Sequence, residues 1–199
     1  MTKSVNGKPV GSKPPARSTR AKAPAKQRAK PGPKPKAVNA GNGTMALDLG
    51  WLFARRQFTV TGGPYDGYTP TKNSFGVCVR EERVPSSGVD VHLPIQDFGL
   101  PKDHEAARKA LQDTLEAMLL RKDVYVGCMG GFGRTGLFLA LLAKVAGVSR
   151  PIAYVRNHYC AHAVETDAQG KYIAAFSVQS LRWWLFKRSW QLWWRGLVA

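Results

Sequence analysis

Acidic residues are scarce in this sequence. Its 199 residues include 13 Asp and Glu against 30 Lys and Arg, a formal net charge of +17 at pH 7. Eleven of the basic residues fall between Met1 and Met45, where no acidic residue occurs; setting them aside leaves 19 basic against 13 acidic, or +6 for the remainder. The excess charge therefore belongs largely to the first segment. It favours anionic partners without bearing on the fold. Cysteine is sparse too, with Cys78, Cys128 and Cys160 alone. An odd set of three excludes a disulfide framework and fits a reducing, cytoplasmic compartment, where a free thiol can serve as a nucleophile. The N-terminus lacks the apolar core of a secretory signal. No uninterrupted apolar run reaches bilayer-spanning length.

Large apolar residues are nearly missing from residues 1 to 44, which are rich in Lys, Ala, Pro, Gly and Ser. Such a segment buries too little surface to offset its ordering entropy, so it is expected to be a disordered basic tail. Its Lys alternates with Ala and Pro, as in basic nucleic-acid-coating tails; a merely solvated tail is the other reading. Residues 45–199 are expected to form one domain.

Within that domain, Gln57 to Val60, Gly76 to Val79, Val89 to Leu93 and Val124 to Val126 read as short strands. Gly62-Gly63-Pro64 and Asp66-Gly67 read as turns. Asp103 can cap a helix running to about Arg121. Thr135 to Val145 is apolar nearly all round and reads as a buried helix. Pro151 suits the first position of another, reaching about Tyr159. A last long helix is expected from Ala168 into a Trp-rich basic end, 181–199. Strands alternating with helices predict an α/β domain with a central, mostly parallel four- or five-stranded sheet flanked by helices.

The segment Cys128-Met129-Gly130-Gly131-Phe132-Gly133-Arg134-Thr135-Gly136 stands between an apolar strand and an apolar helix. Strand, glycine-rich loop and helix in that order make an anion site, because loop amides and the helix N-terminus converge there. Cys128 at the strand end is the candidate nucleophile, its thiolate form favoured by the dipole and by Arg134. Arg134 can hold two phosphate oxygens at once. Thr135 can hydrogen-bond the sulfur and ease its departure. Met129, Gly130, Gly131, Phe132, Gly133 and Arg134 form the phosphate loop.

This segment resembles the signature of the protein tyrosine phosphatase superfamily, in its small dual-specificity branch. Two other segments extend the resemblance, which covers roughly residues 57 to 180. Val91-His92-Leu93-Pro94-Ile95-Gln96-Asp97-Phe98-Gly99-Leu100-Pro101 is similar to the family's general-acid segment, implying Asp97 as the acid. Asp90 and Asp103 are poorer candidates. Val164-Glu165-Thr166-Asp167-Ala168-Gln169 is similar to the segment carrying the water-positioning glutamine, implying Gln169. The resemblance implies the cysteine-phosphatase fold and phosphomonoester hydrolysis through a cysteinyl-phosphate, with neither metal nor cofactor. Its default substrate is a phosphorylated protein, phosphotyrosine with or without phosphoserine and phosphothreonine. The glycine-rich loop and short body resemble small bacterial or phage-encoded members. One departure is Gly127, where the family usually has His before the cysteine. It leaves open a weakly active phosphate-binding module. An RNA 5′-phosphate or phosphoinositide substrate is a further alternative, motivated by the basic tail and the Trp-rich end. Arg156 is expected to brace the loops.

Five of six tryptophans lie between Leu181 and Ala199. On a helix, Trp183, Phe186, Trp190, Trp193, Trp194 and Leu197 form one stripe, with Lys187, Arg188, Gln191 and Arg195 on the other side. The first part of that stripe is expected to pack on the body. From Trp190 onward, packing and contact with a membrane surface or partner are both open.

Overall fold

Alternation of buried and exposed residues marks the strands, and a computed structural model describes residues 41–50, 52 and 57–196. The strands are β1 (Gly43–Asp48), β2 (Gln57–Pro64), β3 (Ser74–Cys78), β4 (Val91–His92) and β5 (Asp123–Cys128). The helices are α1 (His104–Leu119), α2 (Gly133–Ala146), α3 (Pro151–His158), α4 (Asp167–Ala175) and α5 (Gln179–Trp194). Together they make a mixed α/β structure whose five-stranded sheet runs β1-β2-β5-β3-β4. β1 is antiparallel to β2; every other pairing is parallel.

One sheet face carries the core. Met45, Leu47, Phe58, Val60, Val124 and Val126 are buried, while the intervening Thr44, Ala46 and Thr59 are exposed. That is period-two alternation. Helices α1 and α2 pack on β5 and on each other, with α3 and α4 against α2 and α5 against α1 and α2. Helix α2 is buried nearly all round, as its apolar sequence requires, and Gly147 ends it at φ +97°. Asp103 caps α1 by accepting the Glu105 N–H at 2.8 Å, and Pro151 opens α3.

Several expectations need correction. The tail expected over residues 1 to 44 lies outside the described residues as far as residue 40. Gly43 already pairs with Gly62, so ordered structure begins ahead of residue 45. Gly62-Gly63-Pro64 is not a turn but the end of β2, paired with Val126, Gly127 and Cys128. Its glycines admit neighbours: a Cβ at Gly62 would stand 2.8 Å from the Tyr159 ring, and one at Gly63 2.4 Å from the Tyr125 hydroxyl. The third expected strand shrinks to Val91–His92. The long last helix breaks between Ala175 and Gln179. At this break the Lys144 Nζ caps the free carbonyls, donating to those of Ile173 and Ala174 at 2.7 Å and of Phe176 at 3.0 Å. In α5 the core contact is made by Leu181, Leu185, Ser189 and Leu192, not by the tryptophan stripe; Trp183 is 59% exposed. Leu197 lies outside the described residues.

Candidate active site

Parallel pairing brings four loops to one edge of the sheet. Pro64 at the end of β2 stands beside Cys128, Cys78 at the end of β3 beside Gly127, and His92 at the end of β4 beside Cys78. The loops that follow these strands must therefore converge outside their carboxyl ends, where open α/β sheets place ligands. They carry Asp66, Arg80 with Glu82, Asp97, and Cys128 with its glycine-rich continuation.

Cys128 is buried, and its Sγ accepts the Gly131 N–H at 3.2 Å. Gly131 has φ +78°, and a Cβ there would come within 2.0 Å of the Gly41 carbonyl oxygen. Only glycine fits both demands. The buried Tyr159 hydroxyl, at the end of α3, lies 2.9 Å from the Gly41 oxygen and 2.5 Å from the Gly131 oxygen, and ties the two backbones together. Burial, reinforced by Cys128, pushes the Tyr159 phenol well above its ordinary range. The helix after the loop opens at Phe132 without a side-chain cap. Its first amides are thus left for an anion.

Arg134 leaves the first turn of α2 and is 3% exposed. Its Nη1 donates to the Glu82 carboxylate at 2.7 Å and to the Ile95 carbonyl at 3.1 Å; its Nη2 lies 3.0 Å from Asp97 Oδ1. The same Asp97 oxygen accepts the Phe98 N–H at 3.2 Å. Burial raises the Glu82 carboxyl, but the hydrogen bond and charge of Arg134 outweigh it and hold the group below the usual carboxylate range. Arg80, 1% exposed, forms a second buried cationic point behind the loop. It donates to Met129 Sδ at 3.0 Å, and to Asp66 and the Arg83 carbonyl at 2.5 Å each. The site thus joins a buried thiol with a loop amide on its sulfur, an uncapped helix start, a clamped guanidinium and a carboxyl at its rim.

No protein-family model matches the chain. Two similar curated proteins, both uncharacterized, come from Methanocaldococcus jannaschii. MJ0215 is 36% identical over 95 residues, 47% of this chain and 56% of that protein. MJECL20 is 37% identical over 87 residues, 43% of this chain and 58% of that protein. The chain thus spans little more than half the length of these relatives. Among solved structures it is similar to Tk-PTP in its active form, at 25% identity over 61% of this chain and 91% of that one, with a TM-score of 0.49. It is also similar to kinase associated phosphatase with its catalytic-site cysteine replaced by serine. There the identity is 18% over 75% of this chain and 97% of that one, with a TM-score of 0.49.

The remaining expected residues fall around this centre. Thr135 is buried in the first turn of α2, but the expected hydrogen bond to the sulfur is not formed. Its Oγ1 has no partner, and the sulfur is met by the Gly131 amide instead. Gln169 is fully buried. Its Oε1 accepts the Glu165 N–H at 2.9 Å, and its Nε2 donates to the Gly99 carbonyl at 3.3 Å. It therefore bridges the Asp97 loop and the segment against Gly133, where a Cβ would stand 2.2 Å from Glu165 Oε2. Arg156 braces that segment, donating to the carbonyls of Ala163 at 2.9 Å and Val164 at 2.8 Å. Val164 is held at φ +62°, a conformation that a β-branched residue adopts only under constraint. Asp90 is engaged elsewhere, accepting the Gly76 N–H at 2.7 Å. Cys78 and Cys160 are buried and free. Among the described residues no group of three His, Cys, Asp or Glu could hold a metal ion. Sequence reasoning missed Glu82, Arg80, Tyr159 and Gly41, which carry no local pattern; Glu82 could be found only once the pairing of β3 with β5 brought its loop beside Arg134.

Proposed function

We propose that this chain hydrolyses phosphate monoesters through a cysteinyl-phosphate, with phosphotyrosine in a protein as its leading substrate. One observation carries this reading: the Cys128 sulfur faces a loop amide at the mouth of an uncapped helix, with Arg134 and Asp97 in contact at the same edge. The Cys128 thiolate attacks phosphorus, and the bond to the leaving oxygen breaks. Asp97 gives that oxygen its proton. Loop amides and Arg134 hold the other phosphate oxygens, which take over the guanidinium face that Asp97 occupies and so release the carboxyl to act as an acid. Water then attacks the cysteinyl-phosphate, Asp97 takes its proton, and the sulfur leaves as thiolate. Gln169, anchored between the Glu165 amide and the Gly99 carbonyl, sets the spacing of the loops that admit this water.

The test is turnover of an aryl phosphate, followed by a panel of phosphotyrosine and phosphoserine peptides, RNA 5′-triphosphate and phosphoinositides. The chain is expected to hydrolyse the aryl phosphate and phosphotyrosine, and Cys128→Ser to abolish both. Turnover retained by Cys128→Ser, or binding without turnover by the unaltered chain, overturns the reading.

A further inference from the structure

Helix α5 is apolar on two opposite sides. Leu181, Leu185, Ser189 and Leu192, at i, i+4, i+8 and i+11, face the core. Counting from Trp183, the aromatic residues Phe186, Trp190, Trp193 and Trp194 follow at i+3, i+7, i+10 and i+11, on the side turned away from it. Trp183 is 59% exposed, Trp190 42%, Trp193 49% and Trp194 75%. The rings also contact one another: Trp183 stacks on Phe186 at 5.8 Å, and Trp190 lies 5.5 Å from Trp193 and 6.4 Å from Trp194. A contiguous ridge of this kind marks an interaction surface.

Charge selects the occupant. Helix α5 has no acidic residue, and Lys187 and Arg195 are exposed beside the ridge, with Lys187 Nζ 5.0 Å from the Trp183 ring centre. Two copies docking through this face would set these cations against each other, and α5 itself offers no carboxylate to pair with them; the neighbouring Glu116 is already held by Arg188. An anionic partner meets them instead. Tryptophan prefers the boundary between water and lipid, with its ring body in apolar surroundings and its N–H solvated. A groove of about 600 Å³ lies beside the ridge, lined by Phe176, Val178, Trp183 and Phe186 with Arg182 on its wall. Among the described residues no single helix is long and apolar enough to cross a membrane, so α5 would lie on a bilayer rather than span it.

We propose that the outward face of α5 docks the folded chain on an anionic lipid surface through Trp183, Trp190, Trp193 and Trp194, with Lys187 and Arg195 meeting the headgroups.

The test uses the full chain with sedimented vesicles of phosphatidylcholine alone and of phosphatidylcholine with phosphatidylserine, and single-stranded RNA as a second anion. Binding to the phosphatidylserine vesicles is expected, with a blue shift of tryptophan emission. The Trp190→Ala/Trp193→Ala/Trp194→Ala variant, shown to be folded by its thermal transition, is expected to lose about tenfold or more of that affinity. Lys187→Glu is expected to weaken binding to the anionic vesicles alone. Equal binding by the triple variant, no preference for phosphatidylserine, or a loss confined to RNA overturns the proposal.

Discussion

Position 127, next to the sulfur-bearing residue, is closed in by backbone. A Cβ there would stand 2.8 Å from the Gly63 carbonyl oxygen and 2.9 Å from the Tyr65 Cα, both backbone atoms that cannot turn aside. The histidine usual before the cysteine in the family that this segment resembles therefore has no room here. Gly127→Ala is expected to destabilise the fold by about 1–3 kcal/mol through overpacking and to lower kcat/KM, as read from thermal unfolding and aryl phosphate turnover. Gly127→His is expected to be worse on both counts; a His variant that is more active at an unchanged Tm would contradict this account. Cys128 and Arg134 could be read from the sequence because they share one contiguous loop. Glu82 could not, since it reaches Arg134 across 52 positions through the pairing of β3 with β5.

At the scale of elements, α3 works as a brace. Its Arg156 fixes the carbonyls of Ala163 and Val164, and the Tyr159 that ends it ties Gly41 to Gly131. Tyr159→Phe leaves these buried carbonyls without that donor. It is expected to cost about 1–2 kcal/mol of stability and to lower kcat/KM, because the freed Gly131 sets the sulfur's amide. Tyr154→Phe is the control: its hydroxyl donates to the Ala46 carbonyl at 2.6 Å, on the β1 edge. It is expected to lose stability while keeping kcat/KM. Equal kinetic losses in the two variants would remove Tyr159 from the loop's support. Helices α1, α2 and α3 were legible because the Asp103 cap, the apolar run and the first-position Pro151, respectively, lie within or next to their own segments. The break after α4 was not, because neither Gly nor Pro marks it and the Lys144 that caps its carbonyls belongs to another helix. Likewise, the aromatic stripe expected to pack from Trp183 does not, because packing chose the leucine side of α5, which the expected stripe does not include.

Charge at the scale of the whole molecule sets its response to acid. With 30 Lys and Arg against 13 Asp and Glu, every carboxylate that protonates increases a repulsion already present. Two of them also secure the buried arginines of the site. Arg80 lowers the Asp66 carboxyl, chiefly through their hydrogen bond, and Arg134 lowers that of Glu82 against the opposing effect of burial. A carboxyl whose folded pKa is depressed contributes stability that is present above its unfolded pKa, about 3.9 for Asp and 4.3 for Glu, and is lost as pH falls through the folded value. Stability is therefore expected to be nearly level from about pH 7 to 5 and to fall below about pH 4.5. Glu82→Gln keeps the volume and a hydrogen-bonding oxygen but removes the titration. It is expected to start from a lower Tm near neutral pH and to fall less steeply in acid, in melts followed from about pH 7 to 3. An acid slope unchanged by Glu82→Gln would move the source of the lability away from the Arg134 clamp. The clamp would then be a local arrangement of the site, with acid sensitivity left to the general charge imbalance.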